Sequence, residues 1–312
     1  MCEDNKESFN CDKEVEKGIL HCKAKDWIEF CNLINYGLKS HLKNSECKDY
    51  LKNYVWRGHR CENWELVASF DRENKQITET ETDRNQKRKE ILQRHINSFV
   101  YSCRGKLEKD FGLTIREIRG FIQLGNLNIN HLWALGQHYE LATPLLDWCY
   151  SPFVAAYFAF HEKNGYDILQ KRAVWGLNFK KICSNCKNPF QCKFYPKKCN
   201  SLSCKERCVI YFDPMSSEHS RLINQRGLFT ISNTGENIEK IVETNWNKDK
   251  EPWLIKITIN NDQRKEFLKS LNLMNINHIS LFPEIYGAAK FCNIGLEEGL
   301  EEYSVFHGQK NP

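Results

Sequence analysis

The pattern of apolar and polar positions predicts helices mostly in the first half of the chain and strands mostly in the second. Residues 153–160 are all apolar, aromatic or Ala, which is typical of a buried helix; Ser151 and Pro152 suit its start and Gly165 its end. Apolar spacings of three and four predict further helices at residues 25–34, 83–110, 115–124, 265–271 and 285–291. Short β-branched and aromatic runs predict strands at residues 54–59, 173–179, 208–212, 228–231, 253–259 and 278–282.

This order of elements predicts an α+β fold with a mixed or antiparallel sheet and a helical N-terminal part. Residues 1–20 and 301–312 are predicted to be tails around one domain at residues 21–300. No run reaches the roughly 18 consecutive apolar residues that a membrane span needs. The start of the chain is too polar for a secretory signal, so a cytoplasmic location without membrane contact is expected.

Cysteine usage changes this picture at one segment, residues 180–208, which is predicted to be an insertion within the domain. Six of the 15 cysteines of the chain lie there: Cys183, Cys186, Cys192, Cys199, Cys204 and Cys208. In a reducing compartment such clustering favours a metal, and the opening Cys-x2-Cys is typical of structural zinc, with an iron–sulfur cluster or free or paired thiols as alternatives. Residues 183–208 of this segment alone account for the whole net charge of +5, so their lysines and aromatic residues could contact a nucleic acid, or form a solvated basic loop.

Four other motifs carry candidate chemistry, each with a structural alternative. Arg57 ends a predicted strand and is followed by Gly58, which suits phosphate or carboxylate recognition but also a solvated arginine. Polar groups precede the buried helix, and they either form a pocket or serve as hydrogen-bonded structural groups: Gln137, His138, Tyr139, Thr143 and Asp147. Gln225 precedes Gly227 and a strand with Phe229, at what could be a plain loop-to-strand junction. Glu284 follows Pro283 and fits either a cleft carboxylate or the N-terminus of a helix.

Taken in order, these motifs resemble the FRG domain family, which is named for a Phe-Arg-Gly motif. Trp56-Arg57-Gly58 matches that motif, with Trp56 in place of the usual Phe. The block from Gln137 to Ala159 is similar to the family's most distinctive stretch, although Glu140 stands where the family more often has Gly and Pro144 where it often has Arg. The segments 225–229 and 281–284 resemble its later motifs, so the resemblance runs from about residue 26 to 291.

The order of these motifs is also similar to that of ADP-ribosyltransferase-like folds, which implies NAD as a substrate. The resemblance then implies catalytic roles for Arg57, His138 and Glu284, with Arg57 on the phosphates or ribose and Glu284 beside the positive charge that develops as nicotinamide leaves. Gln137, His138, Tyr139, Thr143, Asp147, Gln225 and Phe229 are expected to bind the dinucleotide.

Two functions follow from this interpretation. One is an NAD-consuming enzyme that acts as a toxin or defence effector and modifies a protein or nucleic-acid acceptor. The alternative is a non-catalytic module that binds a nucleotide or nucleic acid, with the cysteine-rich segment as its contact surface.

Overall fold

A mixed seven-stranded sheet lies at the centre of the computed structural model, which describes residues 15–40, 50–74, 81–103, 128–163, 170–185, 209–212, 227–246 and 251–300. The strands are β1 (Ile19–Ala24), β2 (Tyr54–His59), β3 (Leu145–Cys149), β4 (Arg172–Asn178), β5 (Val209–Phe212), β6 (Gly227–Ser232) and β7 (Leu254–Ile259). Their order across the sheet is β1-β7-β4-β2-β3-β6-β5. β1 and β7 are parallel, and the other neighbours are antiparallel. The predicted mixed sheet is confirmed.

Helices cover both faces of this sheet. They are α1 (Trp27–Asn35), α2 (Ser69–Glu73), α3 (Glu81–Ser102), α4 (Asn128–His138), α5 (Pro152–Phe160), α6 (Phe179–Asn185), α7 (Ile238–Asn245), α8 (Arg264–Leu273), α9 (His278–Leu281) and α10 (Ile285–Glu298). Short 3-10 turns occur at Gly37–Ser40, Tyr50–Asn53 and Asn261–Gln263. Among the described helices, none combines the length and apolar character needed to cross a membrane.

The buried helix predicted from the apolar run is α5. Ser151 is its N-cap and accepts a hydrogen bond from the Val154 N–H at 3.4 Å, and Pro152 occupies the first turn, where a missing N–H costs nothing. The helix ends at Phe160 rather than near Gly165. Two buried guanidinium groups account for this end, because Arg172 donates to the carbonyls of residues 159 and 162 and Arg264 to those of residues 160 and 161.

Strand β2 divides its side chains between two sides of the sheet. Tyr54 and Trp56 pack into the apolar cluster that contains α5, and Gly58 lies against α5 itself. Val55, Arg57 and His59 project to the opposite side, because successive side chains of a strand alternate. We call these the α5 side and the Arg57 side of β2. A Cβ atom on Gly58 would lie 2.0 Å from the Ala155 carbonyl oxygen, so α5 can approach β2 this closely only at a glycine.

Several sequence predictions need correction. Residues 278–281 form helix α9 instead of a strand, because Asn277 and Ser280 form a reciprocal capping box that starts a helix. β1 begins at Ile19, inside the predicted tail, and β3 and α4 were not predicted at all. Strands β1, β2 and β3 occur in the first half of the chain, so the N-terminal part is not simply helical. The helix predicted at residues 115–124 lies outside the described residues, as do residues 104–110 of the helix predicted at 83–110.

Candidate functional site

The site begins where two neighbouring strands separate. β2 and β3 pair at Trp56 and Cys149 and then diverge toward the end of β2. The Arg57 side chain lies in the resulting gap, where its Nη1 donates to the Asp147 backbone oxygen at 2.9 Å and lies 3.5 Å from the Asp147 carboxylate. The guanidinium therefore bridges the two strands at the position where their backbones no longer meet. Burial lowers the pKa of Arg57, and the charge of Asp147 opposes that shift.

His59 fixes the orientation of the arginine from the same strand. The Arg57 Nε donates to His59 Nε2 at 2.9 Å, so the imidazole accepts at Nε2 and carries its proton on Nδ1. His59 is only 2% exposed. Burial and then the neighbouring Arg57 charge hold the pKa of His59 well below its usual range. The nearby Trp64 backbone raises the pKa of His59 and so offsets part of this lowering. Among the described residues, no acceptor meets hydrogen-bonding geometry with His59 Nδ1. The imidazole is therefore neutral near pH 7.

A chain of side-chain hydrogen bonds holds Asp147 from the other direction. Gln137, near the end of α4, donates from Nε2 to the Asp147 Oδ1 at 2.5 Å, and its Oε1 accepts from the Thr143 hydroxyl. Thr143 is fully buried, and its backbone N–H donates to the Ser69 hydroxyl at 3.0 Å. Because both ends of the Gln137 amide are engaged, its orientation is set. The network runs from Ser69 through Asp147 to Arg57 and His59.

Two cavities open on either side of this network. The small cavity, of about 220 Å³, is bounded by α2, the end of α4 and the start of β3, and its lining includes Gln137, Glu140 and Asp147. The large cavity, of about 830 Å³, lies between the segment after β2, α2, α3 and the loop before α7. Arg57 and Arg72 line both cavities, so these two arginines stand at the boundary between them.

Positive charge dominates the large cavity. Besides Arg57, its lining carries six basic side chains, those of Arg60, Arg72, Arg84, Lys87, Arg88 and Lys240. Three acidic side chains face the same space, Glu65, Asp71 and Glu236. Such an excess of cations in a concave site favours an anionic ligand, and guanidinium groups suit phosphates in particular.

The turn between α4 and β3 has an unusual backbone. Glu140 adopts a φ of 65°, in the left-handed region that glycine occupies without strain. The same residue lines the small cavity. Gly136 helps to close this turn, since its carbonyl accepts from the Tyr139 N–H at 3.0 Å and from the Leu141 N–H at 2.9 Å. The backbone geometry explains why a glycine would suit position 140.

The structure does not bring Glu284 to Arg57. Glu284 is exposed and immediately precedes α10, as its helix-N-terminus alternative predicted. The neighbouring Phe282 packs on Phe158 of α5 with ring centroids 6.1 Å apart, which places this region on the α5 side of β2. Arg57 projects to the other side. Catalytic roles for Arg57, His138 and Glu284 would require one shared site, and among the described residues Glu284 does not share one with Arg57.

The other predicted ligand-binding residues divide into three groups. His138 and the 59%-exposed Tyr139 stand beside the small cavity, between its lining residues Gln137 and Glu140, and their rings meet edge to face at 4.9 Å. Phe229 is 3% exposed and belongs to an apolar cluster with Leu145. Gln225 lies outside the described residues.

The predicted metal ligands are not tested by this structure. Cys186, Cys192, Cys199, Cys204 and Cys208 lie outside the described residues, and only the backbone of Cys183 is described, at α6. Within the part of the chain that is described, no group of His, Cys, Asp and Glu side chains could hold a metal ion. Zinc at this segment stays a prediction.

Sequence reasoning missed His59, Ser69 and the basic wall of α3. Two signals could have found some of them. His59 follows Arg57 by two residues in a predicted strand, so both side chains must share a face. Arg84, Lys87 and Arg88 recur at three and four within a predicted helix, which aligns them on one face. Nothing in the sequence places Ser69 beside Thr143, because 74 residues separate them.

Comparison with known proteins gives one family. The model of the FRG domain matches residues 52–167. This span runs from β2 to beyond α5 and contains every residue of the hydrogen-bond network, from Arg57 to Asp147. No curated protein and no solved structure matches the chain. The matched span has Arg57 and Gly58 in its central strand, so residues 52–167 of the chain contain an FRG domain.

Proposed function

We propose that the FRG domain binds a nucleotide on the Arg57 side of β2. The observation that carries this proposal is the position of Arg57, a fixed guanidinium at the boundary of two cavities, one of them strongly basic. A fixed arginine recognises phosphate oxygens at low entropic cost, because its side chain is already ordered. A cavity of about 830 Å³ also lies within the range of roughly 300–1,000 Å³ that is typical of small-molecule sites.

NAD is the candidate ligand that uses both cavities. A dinucleotide has two nucleosides joined by a diphosphate, and the two cavities share Arg57 and Arg72. With the diphosphate at these arginines, one nucleoside enters each cavity. The nicotinamide ribose then lies in the small cavity, beside the Asp147 carboxylate, with Gln137 and Thr143 as positioning residues and Tyr139 at the rim.

Asp147 replaces Glu284 in the reaction proposed for this geometry. The bond between nicotinamide and the ribose C1′ breaks, and nicotinamide leaves as a neutral ring with the bonding electron pair. Asp147 stabilises the positive charge left on the ribose. Water or an acceptor on a protein or nucleic acid then bonds to C1′ and loses a proton. An NAD-consuming enzyme of this kind would act as a toxin or defence effector.

One observation favours the second candidate, a binding module without turnover. The Asp147 carboxylate already accepts from Gln137 and lies 3.5 Å from Arg57, so part of its charge is compensated before a ligand arrives. A compensated carboxylate stabilises a cation less well, although it still positions a ribose. Nicotinamide release decides between the two candidates.

The test compares three variants for NAD affinity, by calorimetry, and for nicotinamide release. Arg57→Ala should weaken NAD binding by about tenfold or more, because a charged hydrogen bond to phosphate is lost. Asp147→Asn should retain binding but lower release by roughly 10²-fold, as expected when an electrostatic stabiliser of the transition state is removed. Glu284→Gln is the control and should behave as the wild type.

Three outcomes would count against this account. Unchanged NAD affinity in Arg57→Ala removes the proposed binding site. Nicotinamide release that is lost only in Glu284→Gln restores the catalytic role expected from the resemblance. NAD binding without any release by the wild type leaves the binding module as the function.

A further inference from the structure

Helix α3 forms one wall of the large cavity, and the basic residues of this wall have different roles. Arg84, Lys87, Arg88 and Ile91 all line the cavity, and their spacing puts them on one face of the helix. Neither the family match nor the sequence motifs assign a role to these residues. The roles differ according to whether each cation already has an acidic partner.

Arg88 is structural. Its Nε lies 2.6 Å and its Nη2 2.9 Å from the two carboxylate oxygens of Asp71, and its Nη1 donates to the Asn233 backbone oxygen at 3.2 Å. The pair is buried, with 5% and 8% of the side chains exposed. Gly235 completes the contact, since a Cβ there would lie 2.4 Å from Asp71. This buried pair neutralises both charges and fixes α3 against α2 and the loop before α7.

Arg84, one turn earlier, and Lys87, the preceding residue, remain available. Both are exposed, and no carboxylate among the described residues lies within ion-pair distance of either. Two of the three acidic groups of the lining have other cations as their partners. Asp71 is bound to Arg88, and Glu65 lies 3.9 Å from Lys240. Glu236 accepts from the Thr234 hydroxyl at 3.0 Å and lies outside ion-pair distance of Arg84 and Lys87. Helix α3 therefore presents to the cavity two cations that have no ion-pair partner in the described part of the chain.

The lining of the cavity also includes an aromatic surface. Trp64 lines the cavity with 46% of its side chain exposed, and the Arg60 guanidinium lies over its ring at 5.0 Å from the centroid. Arg60 is in turn paired with Glu162, which holds it in place. A half-exposed indole beside a fixed cation is suited to stacking with a planar base.

We propose that the α3 wall is a phosphate subsite, which selects a nucleotide carrying at least two linked phosphates. Arg84 and Lys87 bind the phosphate chain from α3, Arg72 binds it from α2, and Trp64 stacks on the base. The proposal rests on the nucleotide-binding function proposed above and adds the ligand class: a nucleoside diphosphate unit, free or within a dinucleotide. A nucleoside without phosphates makes none of these ionic contacts.

The test uses two double variants of the full chain that remove the same charge from the same helix. Arg84→Ala with Lys87→Ala removes the proposed subsite, and Lys89→Ala with Arg94→Ala is the matched control, because neither control residue lines the cavity. Each protein is titrated with inorganic pyrophosphate, ADP and adenosine at one fixed salt concentration. Thermal unfolding of each variant checks that the fold is kept.

The subsite pair should weaken pyrophosphate and ADP binding by about tenfold or more, the value of one charged hydrogen bond. The control pair should leave both affinities unchanged, and neither pair should alter adenosine binding. Equal weakening by both pairs would mean a diffuse charge effect and overturn the proposal, as would a wild type that does not bind pyrophosphate. Binding of a single-stranded RNA oligomer but not of ADP would overturn it in favour of a polynucleotide ligand.

Arg57→Ala separates this proposal from the function on which it rests. If Arg57→Ala leaves ADP affinity unchanged while the α3 pair lowers it, the α3 subsite stands and the Arg57 anchor fails. If Arg57→Ala lowers ADP affinity while the α3 pair has no effect, the anchor stands and the subsite fails.

Discussion

Arg57 and Gly58 are neighbours in β2, yet they serve opposite sides of the sheet. On the α5 side, Gly58 lets a buried apolar helix lie against the strand, because a Cβ at this position would come within 2.0 Å of the Ala155 oxygen and no side chain has room. On the Arg57 side, the guanidinium bridges the gap between β2 and β3 and borders two cavities. The Arg-Gly pair of the motif therefore combines a packing requirement with a binding requirement.

Trp56 also packs closely against a glycine, here on the neighbouring strand β4. Its indole lies over Gly176 of β4, the residue paired with it in the sheet, and a Cβ at Gly176 would meet the ring at 2.9 Å. The absence of a side chain at position 176 makes room for an indole in place of the smaller Phe ring of the family motif. The α5 side thus depends on close contacts between apolar groups and glycines.

The largest effect is expected on the α5 side. Gly58→Ala should lower the free energy of unfolding by about 3 kcal/mol, the upper part of the usual range for overpacking, because the added methyl meets backbone atoms that cannot rotate away. Chemical denaturation measures this loss, and Arg57→Ala is the neighbouring control, which should affect ligand binding more than stability. A Gly58→Ala protein as stable as the wild type would show that α5 is not packed this closely.

A pH-dependent effect is expected on the Arg57 side. The pKa of His59 is lower in the folded chain than in the unfolded chain. Below about pH 6.5, the unfolded chain therefore binds a proton at His59 that the folded chain does not bind. The free energy of unfolding should therefore fall as the pH drops through this range, by up to about 1.4 kcal/mol per pH unit from this group. His59→Gln retains an acceptor for Arg57 and should have a shallower slope between pH 7 and 5. Identical slopes would contradict the buried neutral imidazole.

The smallest effect is expected at the rim of the small cavity. Glu140→Gly should raise the free energy of unfolding by about 0.5–1 kcal/mol, because glycine adopts a φ of 65° without strain but loses more entropy on folding. Glu140→Ala removes the same carboxylate and keeps the Cβ, so it should give no such gain. Equal stabilities for the Gly and Ala variants would show that the left-handed backbone carries no strain.

Local signals in the sequence were sufficient for some elements. β2 has the predicted bounds, and α5 begins where its capping residues indicated. β3 was not predicted because it has only five residues and Asp147 interrupts its apolar run. A carboxylate is unfavourable within a strand, and Asp147 is tolerated here because it lies at the gap between β2 and β3. At residues 278–281 an apolar run suggested a strand, whereas the capping box at Asn277 determined a helix.

The candidate site was predictable only in part. Arg57, Gln137, Thr143 and Asp147 were proposed from the sequence, and the structure joins all four through hydrogen bonds. Glu284 was expected beside them, but its position depends on which side of the sheet α9 and α10 pack, and no local pattern encodes that choice. The basic wall of α3 depends in the same way on the buried contact between Arg88 and Asp71, which lie 17 residues apart.

The most direct measurement is an experimental structure of the protein with NAD bound. The account predicts phosphate oxygens within hydrogen-bonding distance of the Arg57 guanidinium, on the side of β2 away from α5, with the nicotinamide ribose beside Asp147. Density for the dinucleotide on the α5 side, next to Glu284 and away from both cavities, would contradict it.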